Sequence, residues 1–198
     1  MEVRLAAIAE GLTQDEPIER VSRETAAVAV VIRRGASGEE VLLIRRAERK
    51  GDPWSGHVAF PGGRVEAEDP SFRDAAAREA REEVGADLAA GARFLGYMGP
   101  FRTRRRGIRV VPAVFLLAGP VEVKPNSEVS SHAWVALQDL LGRRNRSTYS
   151  PVRGDDERRV PSFNIRGLQV WGLTERILSS LVESAEKACD QTTSRRTS

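Results

Sequence analysis

The sequence predicts an α/β (α+β) sandwich built as one domain. Three observations carry this expectation. Apolar, β-branched runs of strand length recur from residue 25 to residue 135, and two amphipathic stretches of helix length fall at 71–84 and 171–188. The length of 198 residues suits a single domain, and 40% hydrophobic against 30% charged residues supplies enough apolar material for a packed core.

The elements follow in order. Val3, Leu5, Ile8 and Leu12 are spaced for a short amphipathic helix, and residues 1–24 are expected to form an extension packed on the domain. Thr25–Ile32 reads as a strand, Gly35–Gly38 as a turn and Val41–Ile44 as the hairpin partner. Residues 45–56 are polar and turn-rich and read as an exposed loop, followed by a short strand at His57–Phe60 that runs into Pro61-Gly62-Gly63. Ser71–Val84 is the most regular helix, with Asp69 as its expected N-cap, Pro70 at the first helical position and Gly85 as its left-handed stop. Further strands are expected at Phe94–Met98, Ile108–Leu117 and Ala133–Val135. Residues 142–159 read as a mobile loop. Trp171–Ala188 reads as the final helix, the domain is expected to span 25–189, and 190–198 reads as a disordered tail.

Composition removes several classes of function. Cys189 is the single cysteine, so neither an intramolecular disulfide nor a cysteine zinc cluster is available. His57 and His132 are the only histidines, which excludes a histidine-rich metal site. A metal, if used, therefore sits on carboxylates and is a hard ion such as Mg²⁺ or Mn²⁺. The net charge of +3 gives little support for a nucleic-acid binder. The longest uncharged apolar run, Val110–Val121, falls short of the roughly 20 residues of a membrane span. No signal peptide is visible at Met1-Glu2-Val3-Arg4, so a cytoplasmic location is the expectation.

The chemistry concentrates in Arg78-Glu79-Ala80-Arg81-Glu82-Glu83-Val84-Gly85. At about 100° per residue, Glu79, Glu82 and Glu83 share one ridge, while Ala77, Ala80 and Val84 face a different side and suit close packing on a sheet. Three like charges on one ridge repel, and a divalent cation would reverse that penalty. A solvated acidic face is the plain alternative. Pro61-Gly62-Gly63 tips the balance, because such a turn brings backbone close to a ligand.

These residues resemble the signature of the Nudix hydrolases: a glycine, a glutamate after five residues, then Arg-Glu-hydrophobic-X-Glu-Glu-X-Gly-hydrophobic after seven more. Gly63, Arg78, Glu79, Ala80, Glu82, Glu83, Gly85 and Ala86 match it. Asp69 stands at the first acidic position, eight residues before Arg78, with Glu66 and Glu68 nearby. Leu42–Ala47, Ser55–Gly63 and Val170–Thr174 resemble the coenzyme A-cleaving branch, although Asp52-Pro53-Trp54 replaces the Arg and His that branch usually carries. The resemblance implies a Nudix-type α/β/α sandwich with a mixed central sheet. It also implies a metal-dependent diphosphatase that hydrolyses coenzyme A or a derivative to 3′,5′-ADP and 4′-phosphopantetheine. ADP-ribose, NADH or another nucleoside diphosphate derivative is the alternative substrate. A non-catalytic nucleotide- or RNA-binding module and RNA cap removal are the alternatives of other kinds. A homodimer is the default assembly.

The same resemblance assigns roles to the acidic ridge and Arg78, and side-chain chemistry and position nominate the other candidates. Glu79, Glu82 and Glu83 are the expected cation ligands, with the Gly63 carbonyl beside them, and Arg78 holds the ridge in register. Glu83 and Glu128 are the two candidates for general base. Arg45 and Arg46 are candidate diphosphate contacts, with Gly62 and Gly63 shaping that site. Arg102, Arg104 and Arg105 (with Arg106) form a basic cluster suited to phosphate, or else a solvated hairpin tip. Trp54 and Phe101 are candidates for stacking on adenine, with packing the stronger expectation for Phe101. His57 reads as structural, Cys189 as inert, and 142–159 as a surface loop rather than a lid.

Overall fold

The computed structural model describes residues 5–20, 24–36, 38–52, 54–103, 107–141, 144–151 and 159–194, with side chains described up to residue 183. The elements run α1 (Leu5–Glu10), β1 (Thr25–Gly35), β2 (Gly38–Arg46), β3 (Val58–Ala59), β4 (Gly62–Arg64), α2 (Phe72–Val84), α3 (Leu88–Gly91) and β5 (Ala92–Tyr97). They continue with β6 (Phe101–Arg102), β7 (Arg109–Leu117), β8 (Val129–Ala136), a 3₁₀ turn at Leu137–Leu140, β9 (Arg146–Tyr149), β10 (Val160–Ile165), β11 (Leu168–Trp171) and α4 (Leu173–Ser194).

β1 to β8 form one mixed sheet, with β1 and β7 parallel at its centre and the other pairings antiparallel. Period-two alternation explains its two faces, because a central strand covered on both sides is apolar throughout. Ala27, Ala29, Val31, Leu42 and Ile44 pack against Phe72, Ala75, Ala76, Ala80 and Val84 of α2. Val30, Ile32, Val41 and Leu43 pack with Ile8 of α1 and with Ile177, Leu178, Leu181 and Val182 of α4. The result is the α/β/α sandwich expected from the sequence.

One detail of the sheet builds the site. β2 pairs with β1 only at the hairpin end, from Ile32↔Val41 to Gly35↔Gly38. The two strands then part, and residues 58–64 fill the gap. β3 pairs with β2 at Ile44 and Arg45, whereas β4 pairs with β1 at Ala26–Val28. The Gly-rich turn is therefore wedged into the sheet rather than held outside it.

The start of α2 corrects an expectation. Ser71, not Asp69, is the N-cap: its backbone is extended (φ −151°) and its side chain accepts the Asp74 N–H at 3.1 Å. Asp69 is committed elsewhere, to Arg78 and the Glu66 N–H. Glu16 of the N-terminal segment accepts the Phe72 N–H at 2.7 Å, so a second orphan donor of the helix is satisfied. Gly85 ends the helix as expected, at φ 68°, with its N–H on Arg81 O and that of Ala86 on Ala80 O. We expect Ser71→Ala to cost about 1 kcal/mol of stability, read as a lower urea midpoint at unchanged slope.

The region 142–159, read as a loop from its polarity, contains β9. Its side chains are mostly exposed, so it has no apolar alternation, and its ladder is supplied by β10, from Val160↔Tyr149 to Phe163↔Arg146. β9, β10 and β11 form a separate three-stranded sheet whose Phe163, Ile165 and Val170 join the core under α4. Residues 142–143 and 152–158 lie outside the described residues. The last helix starts two residues later than expected, because Trp171 completes β11 and Gly172 turns the chain at φ 71°. It runs to Ser194, through part of the expected tail, and 195–198 lie outside the described residues. Among the described residues no helix is long and apolar enough to cross a membrane.

Candidate active site

α2 presents its carboxylates toward the wedged turn. Glu83 is almost fully buried (5% of its side chain exposed), Glu79 is mostly buried and Glu82 is half exposed. Glu83 Oε2 accepts the Gly62 N–H at 2.9 Å. Glu79 lies so close to the turn that a Cβ at residue 63 would push its carboxylate aside. Gly62 is the more constrained: at φ 157°, a Cβ would run into the backbone carbonyl of Ala27.

Arg78 is the hub of the cluster. Its Nε and Nη2 donate to the two oxygens of Asp69 at 3.0 and 3.1 Å. Nη1 donates to Glu79 at 3.0 Å and to Glu82 at 3.3 Å, and Nη2 also reaches the Arg64 carbonyl at 3.0 Å. The bond to Asp69 is the main reason the guanidinium is held firmly charged. Burial pushes the Asp69 carboxyl up, but Arg78 and the Glu66 N–H outweigh it and hold the group below its ordinary value. Arg20, which pairs with Glu16 at 3.1 Å, donates to the Asp69 carbonyl and ties the N-terminal segment to this loop.

The acidic pair opposite the turn is electrostatically unfavourable by itself. Burial raises the Glu79 carboxyl, with Glu82 and Glu66 adding to the rise and Arg78 opposing it. Burial likewise pushes Glu83 up to about 7, helped by the charges of Glu79 and Glu128 and opposed by the Gly62 N–H and Arg46. Arg78 compensates Glu79 at 3.0 Å, whereas Glu83 has Arg46 only at 3.9 Å, beyond hydrogen-bond reach, and is poised for a positive ligand.

Other expected residues divide into those brought to the cluster and those left away from it. Arg46 Nη1 lies 3.9 Å from Glu83 Oε1, and Nη2 donates to Asp52 at 3.1 Å. Arg45 points elsewhere, donating to Gly56 O at 3.3 Å. Glu128 pairs with Arg49 at 3.0 Å and is near enough to raise Glu83. It is delivered by a loop docked on the C-terminal turn of α2, where the Asn126 side chain donates to Glu82 O and its N–H to Glu83 O, both at 2.9 Å. Arg104 and Arg105, with Arg106, lie outside the described residues, as does the side chain of Cys189.

A cavity of about 590 Å³ adjoins the cluster. Arg46, Gly62, Gly63 and Arg64 line one part of it, while Trp54, His57, Val160, Pro161, Trp171 and Leu173 line another. His57 packs on Trp171 with ring centroids 4.6 Å apart, and Tyr149 backs Trp171 at 5.3 Å. Arg102 also lines the cavity, and its carbonyl accepts from Arg176 at 2.9 Å. Phe101 packs on the core beneath Arg176 instead. Sequence reasoning missed the roles of Asp52, Asn126 and Trp171. Asp52 lies in a loop that also carries Arg45, Arg46, Glu48, Arg49 and Lys50, so its charge alone did not single it out.

The family model for the NUDIX domain matches residues 23–153. The chain belongs to the Nudix family. An uncharacterised Nudix hydrolase NudL of Yersinia enterocolitica is 32% identical over 147 residues, 73% of this chain and 74% of that protein. The peroxisomal coenzyme A diphosphatase ndx-8 of Caenorhabditis elegans is 32% identical over 137 residues, 68% of this chain and 58% of that protein. A Nudix-family crystal structure from Enterococcus faecalis has the same fold, with a TM-score of 0.52 at 20% identity, covering 83% of this chain and 62% of that one. As a Nudix hydrolase, the protein acts on diphosphate bonds.

Nudix hydrolases work with divalent cations, and the residues here fit one. The donors are hard carboxylate oxygens beside a close-packed glycine turn, and burying Glu83 and Glu79 together needs a countercharge. Among the described residues no three acidic or histidine side chains enclose an ion by themselves. An ion held there would complete its shell with substrate phosphate oxygens and water.

Proposed function

We propose that this Nudix hydrolase cleaves the diphosphate of coenzyme A or a derivative, releasing 3′,5′-ADP and 4′-phosphopantetheine, with Mg²⁺ or Mn²⁺ as its cation. The observation that carries this reading is the cavity. It runs from the Gly62–Gly63 turn and Arg46 into an aromatic and apolar wall, which suits a diphosphate bearing a long second moiety. The coenzyme A diphosphatase of C. elegans, 32% identical over 68% of this chain, supports the same choice.

Glu79, Glu82 and Glu83 would hold the cation, with the Gly63 carbonyl beside them. The bound cation neutralises charge that develops on the phosphoryl oxygens. Arg46 contacts the diphosphate and opposes its negative charge. A water oxygen attacks one phosphorus, the bond to the bridging oxygen breaks, and the other phosphate leaves. The proton of that water passes to a carboxylate. Glu83, which sits against the turn with its Oε2 on the Gly62 N–H, and Glu128, whose charge reaches Glu83, are the two groups placed to receive it. Arg78 touches none of the reacting atoms and keeps Glu79 and Glu82 in register.

The test is a panel of coenzyme A, an acyl-coenzyme A, ADP-ribose, NADH and dinucleoside polyphosphates, each with magnesium or manganese. We expect the highest kcat/KM on coenzyme A or its acyl form. A clear preference for ADP-ribose or NADH would replace the substrate while keeping the chemistry. Binding without turnover of every compound would point to a non-catalytic module.

A further inference from the structure

Arg46 has a rigid base and a lightly held tip. Its N–H donates to His57 O at 3.0 Å. On the other side β8 carries a bulge: Arg45 pairs with Ser131 and Arg46 with Val129. The extra residue, Ser130, donates its hydroxyl to the Arg45 carbonyl at 3.1 Å. The guanidinium, by contrast, makes one hydrogen bond among the described residues, from Nη2 to Asp52 Oδ2 at 3.1 Å. Nη1 stands 3.9 Å from Glu83, beyond hydrogen-bond reach, and Nε is buried without a partner among the described residues.

Asp52 is itself fixed. Its side chain is 17% exposed, and Oδ1 accepts the Trp54 N–H at 2.9 Å. Its own N–H donates to Arg49 O and its carbonyl accepts from Ser55, while the Ser55 hydroxyl accepts from the Arg49 N–H and donates to the Arg49 carbonyl, both at 2.8 Å. A carboxylate locked into a tight turn therefore grips one edge of a guanidinium that lines the cavity.

We propose that Asp52 is a positioning residue for anion recognition: it holds the Arg46 fork so that its other edge is presented to a phosphoryl oxygen of the substrate. This rests on reading the cavity as the diphosphate site. Without Asp52 the nearest carboxylate to the fork is Glu83, and collapse onto it would neutralise the group that the cation requires. An arginine anchored on one edge keeps donors for a bidentate phosphate contact on the other. Asp52 thus acts through Arg46 and touches neither substrate nor cation. Asp52 gains a purpose that the family signature does not assign to it.

The experiment is a double-mutant cycle on the full chain with D52N, R46M and D52N/R46M. Two readouts are used: kinetics on coenzyme A with magnesium, and calorimetric titration with ADP as a diphosphate probe. D52N should raise KM and weaken ADP binding about tenfold, with a smaller change in kcat and a melting temperature near that of the parent. In the R46M background D52N should have no further effect on either readout. R46K, which keeps the cation and loses the fork, provides the second arm: it should weaken ADP binding and shrink the D52N effect. An equal effect of D52N with and without Arg46, or none on ADP affinity, would overturn the proposal. Coupled ADP binding without any coenzyme A hydrolysis would instead sink the substrate reading and leave the positioning role standing.

Discussion

Glu83→Gln is expected to lower kcat/KM for diphosphate hydrolysis by about 10³-fold while leaving the fold intact. Gln retains a carbonyl oxygen for the Gly62 N–H, so the wedge between β1 and β2 keeps its bond. What is lost is a negative charge beside the reacting diphosphate and an acceptor for a proton. The same substitution has a second, opposite signature in protein freed of divalent cations. Burial first, and then Glu79 and Glu128, raise the Glu83 carboxyl from 4.5 to about 7, so the folded state binds this proton more tightly than the unfolded chain does. The stability this proton contributes is fully present below pH 4.5 and is lost as pH rises through about 7. The loss is on the order of 3 kcal/mol. Glu83→Gln should remove that loss, making the cation-free variant the more stable protein above neutral pH. Saturating magnesium should restore the parent and leave the variant unmoved. Thermal melts across pH, with and without magnesium, read all three effects. A parent whose melting temperature is flat between pH 5 and 8 without cation would show that Glu83 is not buried as a charge.

Arg78→Ala should be the most damaging change to stability. It strips the countercharge from Asp69, whose side chain is 6% exposed, and from Glu79 at 15%. Removing one partner of a buried ionic network typically costs about 3–5 kcal/mol, and the partly exposed guanidinium places the expected loss near the lower end. Activity should fall by about 10²-fold, because Glu79 and Glu82 lose their shared anchor. Arg78→Lys should recover part of the stability and little of the activity, since one ammonium cannot bridge Asp69, Glu79 and Glu82 as the fork does. Urea titration and steady-state kinetics on the two variants separate these effects. An unchanged midpoint in Arg78→Ala would remove the hub from the account.

The acidic ridge was legible because helical spacing alone puts Glu79, Glu82 and Glu83 together, and a glycine turn beside them is a local signal. β1, β2 and β7 were legible because their apolar runs are covered on both faces, whereas β4 and β6, three and two residues long, have no such run. Other features depend on contacts between distant residues. Ser71 and Asp69 are both good caps by type, and only the pull of Arg78 on Asp69 decides between them. β9 has no pattern of its own and exists because β10 pairs with it. The divergence of β1 and β2 is a tertiary event, so the sequence could name Gly62 and Gly63 but not the gap that they occupy. Arg45 and Arg46 are adjacent and alike in composition, and the alternation of β2 sends them to opposite faces.

The cavity is walled by two kinds of architecture. Residues 46, 62 and 63 belong to the large sheet, whereas Val160, Pro161, Trp171 and Leu173 come from the small sheet and the opening of α4. On the proposed reading, the diphosphate and its second moiety therefore meet parts of the molecule that can drift separately over evolution. Exchanging side chains along the far wall is then expected to change the accepted leaving group while the acidic ridge stays untouched.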